Sequence, residues 1–197
     1  LSSRVLVADG AMGTMLQAHD LTLEDFEGHE GCNEILNVTR PDVVRAVHDA
    51  YFEVGVDLVE TNTFGANWAN LAEYDITERI EELAQAGARI ARESADHWST
   101  PQQPRFVIGS VGPGTKLPTL GHAPYALLRD AYQRQVEGML AGGVDAVLVE
   151  TVQDVLQAKA ALVGARRAMD AVGSSAVLIA QITVETTGTM LVGTETS

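Results

Sequence analysis

An internal repeat is the sequence feature that most constrains the fold of this chain. Gly-Val-Asp-Leu-Val-Glu-Thr at positions 55–61 resembles Gly-Val-Asp-Ala-Val-Leu-Val-Glu-Thr at positions 143–151, and each copy follows a helical pattern. Short apolar runs that alternate with helical patterns are typical of repeated βα units and a parallel sheet. The second copy is longer by two residues, which preserves the alternation of side chains along a strand. We therefore expect Glu60 and Glu150 to face the same side of the sheet.

Five apolar runs predict five strands, near residues 4–9, 56–61, 105–111, 144–151 and 176–184. The clearest helix begins at Pro41, with Thr39 as its predicted cap, and ends before Gly55. Its periodicity places His48 on the solvent side and predicts a buried face made of Val43, Val44, Val47, Ala50, Tyr51 and Val54. Further helical patterns cover residues 77–97, 124–141 and 154–172.

Carboxylates stand where three of the predicted strands end, at Asp9, Glu60 and Glu150. In a (β/α)8 barrel the carboxyl ends of the strands form the face that gathers ligands. A terminal Asp or Glu can instead cap the next helix or turn, and this alternative is open for each of the three. The pattern predicts an α/β fold, and because five strands do not close a (β/α)8 TIM barrel, the chain would cover only about five βα units of one. An open, doubly wound parallel sheet is the alternative fold.

Composition narrows the ligands and the cellular setting. The chain has 13 Lys and Arg against 27 Asp and Glu, a formal net charge of -14, which argues against nucleic acid or an anionic membrane as a partner. A ligand with a cationic group suits this charge. The single cysteine, Cys32, excludes an intramolecular disulfide and a thiol-rich zinc site, so we expect a cytoplasmic setting. No apolar run is long enough to span a membrane or to form a signal peptide.

Three loops that follow predicted strands carry candidate binding groups. Asp-Gly-Ala-Met-Gly-Thr at 9–14 could turn backbone N–H groups toward an anion, although a tight turn without a ligand is the simpler interpretation. Thr-Asn-Thr-Phe-Gly-Ala-Asn at 61–67 either orients a small polar ligand or is an ordinary polar loop. Gly-Ser-Val-Gly-Pro-Gly at 109–114 is predicted to be mainly structural. His29-x-x-Cys32 has the spacing of half a metal site, but a simple loop thiol is the better interpretation.

Three longer segments resemble a single protein family, in the same order along the chain. They are Asp-Gly-Ala-Met-Gly-Thr-Met at 9–15, Gly-Cys-Asn-Glu-Ile-Leu at 31–36 and Ala-Tyr-Phe-Glu-Val-Gly-Val-Asp-Leu-Val-Glu-Thr-Asn-Thr-Phe at 50–64. Together they resemble the homocysteine S-methyltransferases, and within that family the branch that takes its methyl group from cobalamin. The resemblance extends over essentially all 197 residues, and the third segment is its most specific part.

The resemblance implies a (β/α)8 barrel that binds homocysteine and zinc at its C-terminal face. Zinc would hold the substrate as a thiolate, which attacks a methyl group on cobalamin carried by another module of the same polypeptide. A further module would remethylate the cobalamin from methyltetrahydrofolate. By position, Asp9 and Glu150 match the carboxylates that hold the homocysteine ammonium. Gly10 and Thr61 match positions near the substrate carboxylate, and Phe64 matches an aromatic residue that lines the pocket.

The sequence departs from the family pattern at the metal. The family's zinc is held by three cysteines on later strands, none of which is present here, and Cys32 does not match a zinc ligand. We therefore expect residues 1–197 to be the N-terminal portion of a homocysteine-binding barrel that does not transfer methyl groups alone. The remaining strands and the folate, cobalamin and reactivation modules would lie elsewhere. Glu60 matches no equally clear family role and is expected to be structural.

The residues also leave other functions open. A homocysteine methyltransferase that uses betaine or S-methylmethionine would share the pocket but lack the cobalamin and folate modules. A non-catalytic binding module would need no zinc ligands. A barrel lyase or aldolase would need a Schiff-base lysine at a strand end, and neither Lys116 nor Lys159 ends a predicted strand.

Overall fold

The computed structural model describes residues 4–195. Its four strands are β1 Leu58–Glu60, β2 Phe106–Val111, β3 Ala146–Val152 and β4 Val177–Ile182, which pair in parallel in that order. The helices are α1 Met12–Leu16, α2 Leu36–Thr39, α3 Pro41–Glu53, α4 Trp68–Leu71, α5 Ile80–Trp98, α6 Tyr125–Gly142 and α7 Val155–Val172. Single 3-10 turns cover Asn33–Ile35, Ala72–Tyr74, Thr77–Arg79 and Pro118–Leu120. The predicted α/β fold with a parallel sheet is confirmed.

The N-terminal segment differs from the full first strand predicted over 4–9. Only Ala8 pairs with β1, through an isolated parallel bridge to Leu58, and the N–H of Leu58 donates to the carbonyl of Val7 at 3.3 Å. Val5 and Val7 are 83% and 57% exposed, so little packing holds this segment flat against the sheet. The described residues therefore form four strands, and the prediction of a fifth strand over 4–9 is wrong, because this segment pairs only through a bridge.

Alternate residues of the strands separate two layers of the molecule. Val59, Val107 and Val147 are fully buried in the main core cluster, which alanines and other apolar residues of α5, α6 and α7 complete. These helices pack closely, because a Cβ on Gly138 of α6 would lie 2.5 Å from the carbonyl of Glu81 in α5. The opposite face of the sheet is apolar near the amino ends of the strands. A cavity of about 430 Å³ lies there and is lined mainly by Leu6, Leu58, Phe106, Ile108, Ala146, Val177 and Ile179.

Helix α3 has the predicted bounds, but its cap and its buried face differ. Pro41 occupies the first turn, and Gly55 follows the helix with a φ of 101°. Thr39 is no cap, because the N-cap residue is Arg40 and the Thr39 hydroxyl lies 2.6 Å from the carbonyl of Asp25. Helix α3 therefore begins without a hydrogen bond from its N-cap side chain to the backbone of the first turn.

The buried face of α3 is rotated relative to the prediction. His48 is fully buried, whereas Val54 is 79% exposed. The helix contacts both α5 and β1, so the stripe formed by Val44, His48 and Phe52, at spacings of four residues, is covered from two sides. The predicted solvent position of His48 is therefore wrong.

No helix within residues 4–195 is long and apolar enough to cross a membrane.

Candidate functional site

A cavity of about 340 Å³ lies at the carboxyl ends of β1, β2 and β3. All five residues singled out from the sequence line it, namely Asp9, Gly10, Thr61, Phe64 and Glu150. The remaining lining residues are Ala11, Met12, Gly13, Asn33, Glu34, Glu60, Asn62 and Ser110. Glu60 and Glu150 therefore share one side of the sheet, as the parity of the repeat predicts.

The Asp9 carboxylate is fixed across the end of β1. The backbone N–H of Glu60 donates to both of its oxygens, at 3.1 Å each. Burial raises the pKa of Asp9 to about 7, against the lowering effect of that N–H, and the negative charge of Glu150 adds to the rise. Asp9 is thus a carboxyl that contacts the backbone of β1 and takes up a proton near neutral pH.

Glu60 and Glu150 are two further carboxyls that line the cavity. Burial raises the pKa of Glu60 to about 7, and the negative charges of Glu150 and Asp9 and a side-chain hydrogen bond to Glu150 raise it further. The hydroxyl of Ser110 donates to Glu150 Oε1 at 2.5 Å. No Lys, Arg or His of the described chain lines the cavity or forms an ion pair with these three carboxyls. The site therefore has an unmatched negative charge whenever its carboxyls are ionised.

A break in the regular strand lies beside Glu150. The register of β3 against β4 shifts between Val149 and Val152, and Thr151 adopts a left-handed φ of 56°. That conformation is strained for a β-branched residue. The Thr151 hydroxyl also lies 3.5 Å from Glu150 Oε2. Strain in the backbone is therefore concentrated beside a carboxylate that faces the cavity.

Thr61 lines the cavity, but its hydroxyl is used to join two strands. The hydroxyl accepts the backbone N–H of Ser110 at 3.0 Å and lies 2.6 Å from the hydroxyl of Thr63. Thr63 in turn donates to the carbonyl of Ser110 at 2.8 Å. The pair of threonines therefore clamps the end of β1 to the end of β2, which positions both Ser110 and the loop after β1.

Phe64 presents an aromatic ring that is 40% exposed at the edge of the cavity. Its carbonyl accepts the N–H of Gly112 at 3.1 Å, and a Cβ on Gly112 would lie 2.6 Å from that carbonyl. Gly112 thus has a structural role, as the sequence predicted for the loop 109–114. Ser110, which the structure places in β2, contacts Glu150, a site contact that the glycine-rich pattern did not indicate.

Glu34 and Cys32 lie beside the cavity in a buried polar corner. Glu34 Oε1 accepts the N–H of Gly65 at 2.7 Å, and burial raises the Glu34 pKa above its ordinary range. Cys32 lies outside the helices and strands, as expected of a loop thiol, but it is 2% exposed within a core cluster. Burial and the negative charge of Glu34 raise the pKa of the Cys32 thiol to about 12. His29 contributes no ligand beside it, because its ring packs on Tyr74.

The described side chains do not fit a zinc ion. No group of three or more His, Cys, Asp or Glu residues within 4–195 has an arrangement that could hold a metal. A cysteine must be a thiolate to bind zinc, whereas the surroundings of Cys32 keep its thiol protonated. The cavity therefore offers groups for a polar organic ligand and not for the metal that the family resemblance implies.

Comparison with known proteins places this geometry in a family. The sequence model of the family described as homocysteine S-methyltransferase matches residues 6–197. Over 195 residues the chain is 62% identical to methionine synthase from Mycobacterium tuberculosis and 60% identical to methionine synthase from Mycobacterium leprae. These matches cover 99% of this chain but only 16% of each relative.

Solved structures agree on the fold. The metallated form of the homocysteine methyltransferase MmuM from Escherichia coli superposes with a TM-score of 0.72 and 21% sequence identity, over 98% of this chain and 68% of that one. The apo form of the same enzyme gives a TM-score of 0.68, also at 21% identity, over 98% of this chain and 65% of that one. At this identity the likeness concerns the fold. Through the match to its sequence model, the chain belongs to the homocysteine S-methyltransferase family.

Proposed function

We propose that this chain is the homocysteine-binding part of a methionine synthase. Residues 1–197 would form the N-terminal portion of its (β/α)8 barrel, and the other strands and modules would belong to the same longer polypeptide. The identity of 62% over 99% of this chain, together with a coverage of 16% of the relative, supports this proposal. The reaction proposed for the whole enzyme transfers a methyl group from cobalamin, regenerated from methyltetrahydrofolate, to the sulfur of homocysteine.

In this proposal Asp9 and Glu150 hold the substrate ammonium. The observation that carries it is the meeting of three carboxyls in one cavity that no cationic side chain of the described residues lines. A ligand ammonium supplies both the charge and the N–H donors that such a site lacks. Gly10 and Thr61 would lie near the substrate carboxylate. Phe64 would pack against the aliphatic part of homocysteine, which suits a half-exposed ring at the edge of a cavity.

Zinc and cobalamin are assigned to parts of the whole enzyme outside these residues. The described side chains form no metal group, and we derive no step of the reaction through either cofactor. The contribution proposed for this chain is to bind the amino-acid end of the substrate and to orient it. A fixed Asp9 and a Glu150 anchored by Ser110 are suited to that role, because neither must reorganise when the ammonium arrives.

A cobalamin-independent homocysteine methyltransferase that uses betaine or S-methylmethionine is the runner-up. Its pocket would need the same ammonium site. The relevant observation is identity, which is 62% to methionine synthase but 21% to the Escherichia coli homocysteine methyltransferase. Activity of the protein with methylcobalamin, compared with activity with betaine or S-methylmethionine as methyl donor, separates the two. A binding module without activity would use neither donor.

Steady-state kinetics of the full-length protein that carries this chain tests the proposal. We expect methylcobalamin-dependent methylation of homocysteine, and we expect Glu150→Gln to raise the KM for homocysteine at least about tenfold, because a charge-assisted hydrogen bond is lost. Glu53→Gln, an exposed carboxylate at the end of α3, is the matched control and should leave KM unchanged. Absence of homocysteine methylation in the wild-type protein, or an unchanged KM in Glu150→Gln, would contradict the proposal.

A further inference from the structure

We propose that Glu60 is the third carboxyl of the ammonium site, that it shares a proton with Glu150 in the ligand-free protein, and that the site releases this proton when a ligand ammonium binds. The inference rests on the proposed function, since it takes the homocysteine ammonium as the occupant. It deepens that function by giving Glu60 a role in substrate binding, where the family resemblance leaves it structural. It also links substrate binding to pH.

The three carboxyls are held in different ways. Asp9 accepts the Glu60 N–H with both oxygens, and Glu150 accepts the hydroxyl of Ser110 at 2.5 Å. The Glu60 side chain has Glu150 as its hydrogen-bond partner, and no other side-chain partner for it is found within residues 4–195. Two carboxyl groups can share a hydrogen bond only when one of them is protonated. The hydrogen bond between Glu60 and Glu150 therefore forms only while the pair carries a proton.

All groups that face Glu60 favour retention of this proton. Asp9 from the N-terminal segment, Glu150 from β3 and Glu34 from the turn Asn33–Ile35 line the same cavity. Tyr51 of α3 lies near Asp9 and is neutral. The cavity lining within the described chain includes no Lys, Arg or His. The pKa values of Glu60 and Asp9, both about 7, agree with a cluster that carries about one proton at neutral pH.

An ammonium group can replace that proton, because its N–H groups can take over the hydrogen bond that the carboxyl O–H donates. It has three N–H donors, one for each of the three carboxylates. When it binds, an N–H takes the place of the Glu60 O–H toward Glu150, and the ionised Glu60 accepts a second N–H. The O–H bond of the carboxyl breaks and its proton passes to the buffer. The site thus exchanges one proton for one monovalent cation, with no change in oxidation state.

Calorimetric titration of the full-length protein with L-homocysteine measures this exchange. Titrations in phosphate and in Tris, which differ in ionisation enthalpy, give the number of protons released on binding. The same titrations with 4-mercaptobutyrate, which keeps the thiol but lacks the ammonium, give the release that comes from the thiol. The difference between the two ligands is the release linked to the ammonium. We expect about one proton at pH 7, since two groups with a pKa of about 7 are each half protonated there, and much less at pH 8.

Glu60→Gln identifies the residue. We expect this variant to lose about half or more of the ammonium-linked proton release and to bind homocysteine about tenfold more weakly, with unchanged affinity for 4-mercaptobutyrate. Glu53→Gln is the control for removal of one negative charge and should match the wild type in all three quantities. Unchanged 4-mercaptobutyrate binding also shows that the Glu60→Gln pocket is intact.

Each contrary outcome has its own meaning. A wild-type release that is equal for both ligands at pH 6, 7 and 8 overturns the proton exchange without any variant. A normal release and normal affinity in Glu60→Gln, while Glu150→Gln loses affinity, overturns the role of Glu60 but leaves the proposed function standing. A wild-type protein that binds the two ligands equally well overturns the ammonium site itself, and with it the proposed function.

Discussion

The backbone N–H of Glu60 donates to both carboxylate oxygens of Asp9, at 3.1 Å each. This contact ties the N-terminal segment, which pairs with β1 only through Ala8, to the end of that strand. The carboxylate that is proposed to hold the substrate ammonium is therefore also a structural link between two chain segments.

Replacement of Asp9 by Ala should loosen this link. The Glu60 N–H would lose its acceptor, which costs about 1–3 kcal/mol of local stability for a buried donor. We expect faster hydrogen exchange in peptides that contain β1 in the Asp9→Ala protein, and a smaller effect in Asp9→Asn, whose amide oxygen can still accept. Asp20→Ala, at an exposed position, is the control. Equal exchange in Asp9→Ala and wild type would show that the contact contributes nothing to stability.

The stability of the ligand-free protein should fall as the pH rises through 7. The pKa values of Asp9 and Glu60 are about 7 in the folded chain, above their ordinary values of 3.8 and 4.5. The folded state therefore binds more protons between these limits, so the contribution is fully present below about pH 4 and is lost above about pH 7. Scanning calorimetry at pH 6, 7 and 8 measures the trend. The double variant Asp9→Asn with Glu60→Gln should flatten it, and an equally steep trend in that variant would argue against this origin.

His48 should act in the opposite direction at lower pH. Its ring is fully buried, and neither nitrogen has a hydrogen-bond partner within the described residues. Burial lowers the pKa of His48 to about 4 from an ordinary 6.5, so its contribution is present above pH 6.5 and is lost as the pH falls toward 4. We expect His48→Leu to raise the melting temperature more at pH 5 than at pH 7. The exposed His19→Leu should show no such difference, and equal behaviour of both variants would contradict the assignment.

Thr151 should respond to substitution according to its left-handed φ of 56°. Glycine adopts this conformation without strain, whereas valine keeps the β-branched strain and loses the hydroxyl that faces Glu150. We expect Thr151→Gly to unfold at the same or a higher temperature than wild type, and Thr151→Val to lose about 1 kcal/mol through the missing hydroxyl contact. Both should weaken homocysteine binding, because both remove the hydroxyl that lies 3.5 Å from Glu150 Oε2. Unaltered binding in both variants would show that Glu150 does not depend on this hydroxyl.

Local sequence predicted the parts of the site that depend on one strand at a time. The repeat and its two-residue length difference were enough to place Glu60 and Glu150 on one side of the sheet, since side-chain alternation is a property of a single strand. The loops that carry Gly10 and Phe64 were predicted because they directly follow strands, whereas the two residues themselves were singled out by the family resemblance. The parallel sheet was predictable because alternating apolar runs and helical patterns leave few other arrangements.

Features that depend on contacts between elements were not predictable. His48 is buried because α5 covers the flank of α3, and the periodicity of α3 alone cannot show where its neighbour lies. Ser110 belongs to the site through a bond to Glu150 on the next strand. The segment 4–9 has an apolar pattern typical of a strand, but Val5 and Val7 remain exposed in the described structure.

The ratio of homocysteine affinity to 4-mercaptobutyrate affinity tests the central claim most directly. The two ligands differ in the ammonium group alone, so the ratio isolates what the carboxyls contribute. We predict that the wild-type protein prefers homocysteine at least about tenfold at pH 7 and that Glu150→Gln reduces this preference severalfold. Equal affinities of the wild-type protein for the two ligands would contradict the claim that this cavity holds the ammonium of an amino acid.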